Sequence, residues 1–344
     1  MPHSRKWQDM SISVGRDLKL LKHTFRDALN KALAEELNAN DNFILLGENI
    51  KTDGGSYGVT SGLSKRVRDS SRVIETPVSE NLIVEAALGA SLVGLDVCAE
   101  IYSSDFLFAA GNEIFNDIPK WRFQHHWEYP INLVLRMPTG AGVRWQGPEH
   151  SQCVEGYLHH VPGLTIIFPS TAFDAYHSLK YAIHSGNPII FLEHRRLYNL
   201  PFEQKYDGEK FILNKAKLVS KGSDVTLVTW GFMRYRAEKV VDDLNETEIS
   251  VELIDPVTIK PMDFDTIFKS VKKTGKLVIY EESPITGSVG AEIMAHVFEE
   301  CLIEKGHGKR VAMKDVPNSF NFNVDSQLIP NETLLKATIK DICK

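Results

Sequence analysis

From Thr24 onward the apolar positions Phe25, Ala28, Leu29, Ala32, Leu33 and Leu37 recur at the spacing of a helix that buries one face, and the polar run Asn38 to Asn42 ends it. The run Phe43-Ile-Leu-Leu46 that follows is short and wholly apolar, which predicts a buried strand. Gly54, Gly55, Gly58 and Gly62 then mark a loop, and their spacing fits neither a dinucleotide fingerprint nor a Walker loop. A helix rich in apolar and small residues is predicted from Glu80, with Pro77 and Ser79 supplying turn and cap and with Ala86, Ala87, Gly89 and Ala90 allowing close approach of a neighbour. After it come strand Val97 to Tyr102, helix Asp105 to Asn116, strand Ile131 to Arg136, a loop, helix Ser151 to His159, strand Thr165 to Phe168, helix Phe173 to His184 and strand Pro188 to Glu193. Apolar strands alternating with amphipathic helices imply an α/β fold whose parallel sheet is covered on both faces.

Between Asn199 and Asn214 the pattern lapses into charged and aromatic residues around Pro201 and Gly208, which reads as a linker. A smaller α/β unit then begins: strand Asp224 to Trp230, helix Tyr235 to Leu244, strand Ser250 to Ile254, strand Lys276 to Tyr280 and a helix after Gly287-Ser-Val-Gly290. Beyond Pro317 the pattern is irregular until a last helix near Leu334. The expected plan is a tail over 1–19, a first domain over 20–198, a linker over 199–214 and a second domain over 215–344.

Composition narrows the partners. With 344 residues and 43% hydrophobic content the chain has material for two cores, and its net charge of −6 leaves no basic footprint for nucleic acid. No stretch approaches the roughly 20 apolar residues of a membrane span. The first fifteen residues lack the apolar core of a secretory signal, and the 4 cysteines are scattered with no Cys-x-x-Cys pair, against disulfides and structural zinc. A cytoplasmic protein is expected, with the mitochondrial matrix as the alternative.

One carboxylate stands out. Glu80 opens a helix otherwise made of apolar and small residues, where desolvation favours the neutral acid, as in sites that hold a proton near neutral pH. The competing reading is a solvated first-turn Glu favoured by the helix dipole. His150, after a loop and before a helix, is a second candidate, while Ser151 and Cys153 beside it are expected to cap and pack that helix, since a hydrolase elbow needs Gly-x-Ser-x-Gly.

Glu75-Thr-Pro-Val-Ser-Glu80, Glu100-Ile-Tyr-Ser-Ser-Asp-Phe106, Arg136-Met-Pro-Thr-Gly140, His150-Ser-Gln152, Pro162-Gly163-Leu and Phe191-Leu-Glu193 occur in this order along the chain. Together they resemble the beta subunits of thiamine-diphosphate-dependent 2-oxo acid dehydrogenases of the transketolase-like superfamily, over roughly residues 20 to 340. The resemblance implies a pyrimidine-binding domain followed by a transketolase-type C-terminal domain. It gives Glu80 the role of the glutamate that bonds N1′ of the cofactor's aminopyrimidine and exchanges a proton with that ring. It makes Phe106 the aromatic residue that stacks on the pyrimidine, a role compatible with core packing, and His150 the histidine that reaches the substrate. A potassium site of mostly carbonyl oxygens would fall on Leu133, Ala182, Ile183, Ser185 and Asn187, with Ser185 standing where the family often has Asp.

No Gly-Asp-Gly occurs in the sequence, although this superfamily uses it to hold the magnesium of the diphosphate. The resemblance therefore implies an alpha subunit that holds the magnesium, in a heterotetramer of two alpha and two beta chains acting on a small 2-oxo acid. Two segments depart from the family pattern. The loop Val143 to Glu149 is bulkier and more charged, and Asp315-Val-Pro-Asn-Ser-Phe lacks the usual Asp-x-Pro-x-Pro-Tyr. Both bear on the acceptor: a lipoyl group on an acyltransferase core is the favoured reading, a carbonyl compound in a non-oxidative carboligase the second, and a cofactor-free regulatory or scaffolding subunit the third. Arg195-Arg-Leu-Tyr198 leans toward branched-chain substrates.

Overall fold

The computed structural model describes residues 23–142, 146–202, 211–247 and 249–344. The expected tail over 1–19, part of the 143–149 loop and half of the expected linker lie outside the described residues. The first unit is a seven-stranded sheet in the order Thr258–Lys260, Thr165–Ile167, Ile189–His194, Leu133–Thr139, Asp96–Glu100, Phe43–Glu48, Val73–Thr76. Every neighbouring pair is parallel except the first. Side chains alternate across each strand, so Ile44 and Leu46 pack with Ile83 and Val84 of the Glu80–Leu92 helix on one face. On the other face Phe43 and Leu45 meet Phe25, Leu29 and Leu33 of the Phe25–Ala39 helix. Burial on both faces explains why these strands are continuously apolar.

The second unit is a five-stranded sheet in the order Gly308–Met313, Leu277–Pro284, Val225–Thr229, Val251–Asp255, Lys217–Ser220, parallel apart from the last pair. Helices Gly231–Asn245 and Glu332–Ile342 cover one face with Val240, Leu244, Leu335 and Ile339. Its other face joins the first unit: Trp230, Ile254 and Ile279 share a cluster with Leu158, Val161 and Leu164. The strand Thr258–Lys260 also leaves the second unit to form the edge of the first sheet. The two sheets thus share one hydrophobic cluster, and each also has a cluster of its own.

Three expectations need correction. The helix expected over Asp105 to Asn116 is a 3-10 segment Ser104–Ala110, a π turn Glu113–Asp117 and a short helix Ile118–Gln124, because Asp105 spends its carboxylate on tertiary partners. The helix expected from Ser151 runs only over Glu155–His159, for the same reason. The irregular tail holds a helix Phe322–Leu328, capped by Asn321, before the last one. Strands Val73–Thr76 and Gly308–Met313 and helix Phe264–Thr274 were not expected. That helix nevertheless carries readable signals: Asp263 caps its start and Gly275, at φ 68°, closes it.

Candidate functional site

The parallel strands of the first sheet deliver the candidate residues to one edge. Glu80 follows strand Val73–Thr76, Phe106 follows Asp96–Glu100, and His150 follows Leu133–Thr139, so all lie beyond carboxyl ends, where α/β sheets bind ligands. Ser79 starts the Glu80–Leu92 helix by accepting a 3.4 Å bond from the Leu82 N–H, and the helix anchors itself by burying Ile83, Val84, Ala87 and Leu88. Glu80 is left half-buried in its first turn, and among the described residues no donor reaches its carboxylate. Such an acid is open to an N–H from outside the chain.

The same helix packs on the Ser104–Ala110 segment, which carries Phe106. Phe106 is partly buried against the core and meets His150 edge-to-face, with ring centroids 5.1 Å apart at 87°. Glu48, at the end of strand Phe43–Glu48, joins the group. Burial first, and then the charges of Glu80 and Glu100, lift its carboxyl above the usual range. Sequence reading passed over Glu48, and its only signal was an acid closing a buried strand.

Behind this edge the sheet holds charges of its own. Arg136, 1% exposed, donates from Nη1 to Glu100 at 2.8 Å and binds Glu193 through Nε at 2.6 Å and Nη2 at 2.8 Å. The Tyr198 hydroxyl adds a 2.6 Å bond to Glu193. Burial lowers the Arg136 proton affinity, but the two carboxylates outweigh it and hold the guanidinium charged. The other oxygen of Glu100 accepts from the Ser56 N–H at 2.9 Å, which ties the glycine loop to the sheet. At Gly55 a Cβ would come within 2.4 Å of that carboxylate, so the loop can lie there only with glycine.

Of the two neighbours of His150, Ser151 departs from expectation and Cys153 does not. Ser151 does not cap the helix, whose N-cap is Val154, and its buried hydroxyl has no partner among the described residues. Cys153 packs as expected, and burial drives its thiol far above the usual range, away from nucleophilic chemistry. A cleft of about 730 Å³ lies between the two units, lined by Gln152, Cys153 and Tyr157 on one side and Ser283, Gly287 and Pro317 on the other. Glu80, Phe106 and His150 do not line it. All three are partly exposed beyond the carboxyl ends of the first sheet's strands, and this edge is the open face referred to below.

At the expected potassium site the Ser185 hydroxyl donates at 3.0 Å to the carbonyls of both Ala182 and Asn187, and Arg122 donates to the Asn187 side chain. Two carbonyls of the expected donor set are therefore already engaged. Among the described residues no group of three or more His, Cys, Asp or Glu side chains could hold a metal ion, and no helix is long and apolar enough to cross a membrane.

Residues 22–201 match the family model of the transketolase pyrimidine binding domain, and residues 214–333 that of the transketolase C-terminal domain. A pyruvate dehydrogenase E1 component subunit beta of Rhizobium meliloti is 35% identical over 97% of this chain and 72% of its own length. The subunit of the same name from Gracilaria tenuistipitata is 37% identical over 92% of this chain and 98% of its own. A 2-oxoisovalerate dehydrogenase subunit beta of Bacillus subtilis is 32% identical over 86% and 90%. The solved structure of an inactive beta4 tetramer of a split-gene transketolase superposes with a TM-score of 0.74 at 19% identity, covering 93% of this chain and 98% of that one, a likeness of fold. The chain belongs to the transketolase-like family, among the beta subunits of 2-oxo acid dehydrogenase E1 components.

Proposed function

We propose that the chain is the beta subunit of a thiamine-diphosphate-dependent decarboxylating component. It would build each active site with an alpha subunit, in a heterotetramer of two of each, and pass the acyl group to a lipoyl carrier on an acyltransferase core. The observation that carries this reading is the open face: a half-buried carboxylate with no donor among the described residues, on a helix packed against the segment whose aromatic ring is in edge contact with an imidazole. That set fits an aminopyrimidine. Glu80 would accept the bond from N1′ and exchange its proton, Phe106 would stack on the ring, and His150 would hold the substrate carboxylate or deliver a proton. When bound, thiamine diphosphate supplies the carbon nucleophile that adds to the 2-oxo carbonyl and stores the electron pair released with carbon dioxide.

Magnesium on the diphosphate is assigned to the alpha subunit, since the chain has no Gly-Asp-Gly. Potassium would meet the Ala182 and Asn187 carbonyls while they accept from the Ser185 hydroxyl, each through its second lone pair.

Calorimetry on the purified chain with magnesium and thiamine diphosphate should show negligible binding. Adding the alpha subunit should produce binding, carbon dioxide release from a 2-oxo acid and acylation of a lipoyl domain. Tight binding by the chain alone would overturn the shared site. Carbon dioxide release with transfer only to a carbonyl acceptor would identify the carboligase.

A further inference from the structure

One buried arginine lies behind the open face, and apart from the substrate lean of the stretch it begins, no role has been given to it. Arg195 follows strand Ile189–His194, and its side chain is 1% exposed, paired at 2.6 Å with an Asp105 side chain that is 0% exposed. Its Nη1 donates to the His150 carbonyl at 2.6 Å and to the Gly140 carbonyl at 3.2 Å. Its Nη2 donates to Asp105, to the Ser103 hydroxyl and, at 3.1 Å, to the Pro138 carbonyl. The second oxygen of Asp105 accepts from the Gln152 N–H at 2.8 Å, and the Ser103 hydroxyl donates to Asp105 at 2.6 Å. One ion pair therefore joins three segments distant in sequence: Ser103–Phe106, Pro138–Gly140 and His150–Gln152.

A buried ion pair of this kind is weak evidence for stability, because desolvating both charges consumes most of what their attraction returns. A planar guanidinium does fix direction, since its donors leave in a rigid fork that a flexible ammonium cannot copy. Here the fork grips the main chain at His150 and the acid next to Phe106, the residues whose rings meet at 5.1 Å. We propose that Arg195, acting through Asp105, is the positioning residue of the half-site, setting where the His150 imidazole stands relative to Phe106. This rests on the roles proposed above for Phe106 and His150.

Arg195→Lys keeps the charge and loses the fork. The first readout needs no activity: in the full chain labelled at histidine Cε1, the His150 resonance, identified by its loss in His150→Ala, reports the ring current of Phe106. Arg195→Lys should move it toward the value of an unstacked histidine, and an unmoved resonance overturns the proposal. The second readout is a double-mutant cycle in the assembled enzyme. Arg195→Lys should lower kcat/KM about 10- to 100-fold in the parent, on the scale of a 1 Å misplacement, and less than about twofold when His150 is already alanine. Equal losses in both backgrounds would mean general damage and defeat the positioning role while leaving that of His150 intact. If His150→Ala alone costs nothing, the reading beneath also fails. Should Arg195→Lys not assemble, Asp105→Asn, which keeps the size and an acceptor for Gln152, takes its place. If neither assembles, the pair belongs to folding and the proposal falls.

Discussion

Glu80 and Glu193 lie at the carboxyl edge of one sheet under opposite conditions. Glu193 is fully buried, with Arg136 on both oxygens and Tyr198 on one of them, whereas Glu80 is half-buried and has no donor among the described residues. Buried charge has to be paired, and the first unit pairs it at Arg136 and again at Arg195. Glu80 is instead unpaired among the described residues and half exposed. The contrast suits the proposal that Glu80 takes its partner from elsewhere while Glu193 is scaffold, and each assignment can be broken by experiment.

The largest effect is expected at Glu80. Glu80→Gln keeps the shape and a hydrogen-bonding group but cannot exchange a proton, so cofactor should still bind while exchange of its thiazolium proton slows by roughly 100- to 10,000-fold. Quenched NMR in deuterated buffer on the alpha-beta enzyme reads this step without knowledge of the substrate. Exchange at the parental rate would return Glu80 to the status of a solvated helix-cap acid.

Arg136→Met tests the scaffold side. It strands Glu100 and Glu193 without their cation in a site that is 1% exposed, and removing one partner of a buried pair costs about 3–5 kcal/mol. Urea unfolding should show a lower midpoint. A midpoint within error of the parent would mean that the charges behind the open face support nothing.

Glu281 in the second unit is a third kind of acid. It is buried and receives bonds from the Ser288 hydroxyl at 2.6 Å and the Gly290 N–H at 3.2 Å, and no salt bridge reaches it among the described residues. Burial pushes its pKa up to about 7, helped by the charge of Glu155 and opposed by its two donors and by Arg310. Because the folded value exceeds the ordinary 4.5, the unfolded chain releases the proton first as pH rises. The stability from the neutral acid is therefore present below pH 4.5 and is lost as pH climbs through about 7. By that shift the whole change is at most on the order of 3 kcal/mol. Subtracting the pH 5 to 8 stability profile of Glu281→Gln from that of the parent should expose this fall, and parallel profiles would remove the neutral acid.

The first sheet could be read in the sequence because burial on both faces leaves continuous apolar runs, and Glu80 could be found because an acid heading an apolar helix is a local anomaly. Arg195 and Asp105 gave no such signal. Their meaning lies in contacts with His150 and Gln152, some 45 residues or more away along the chain, which also shortened two expected helices. Nor could the strand Thr258–Lys260 be assigned to the first sheet, since pairing across a domain boundary leaves no periodicity. The family motifs supplied the proposed roles of Phe106 and His150, whereas their edge-to-face contact comes from the fold.

The smallest effect tests the open face at its aromatic member. Phe106 is only partly buried, so Phe106→Ala should leave the fold in place while weakening cofactor binding in the assembled enzyme by about 1 kcal/mol or more, roughly fivefold. Alanine also removes the ring that His150 meets, so the truncation mixes lost stacking with a freed imidazole. Phe106→Leu separates the two, since it keeps apolar bulk beside His150 and gives up the flat face. If stacking is the role, leucine should weaken the cofactor nearly as much as alanine, and fluorescence titration at fixed magnesium reads both. Leucine binding like the parent with alanine binding weakly would make Phe106 a prop for His150, and parental affinity in both would make it core alone, leaving Glu80 to mark the face by itself.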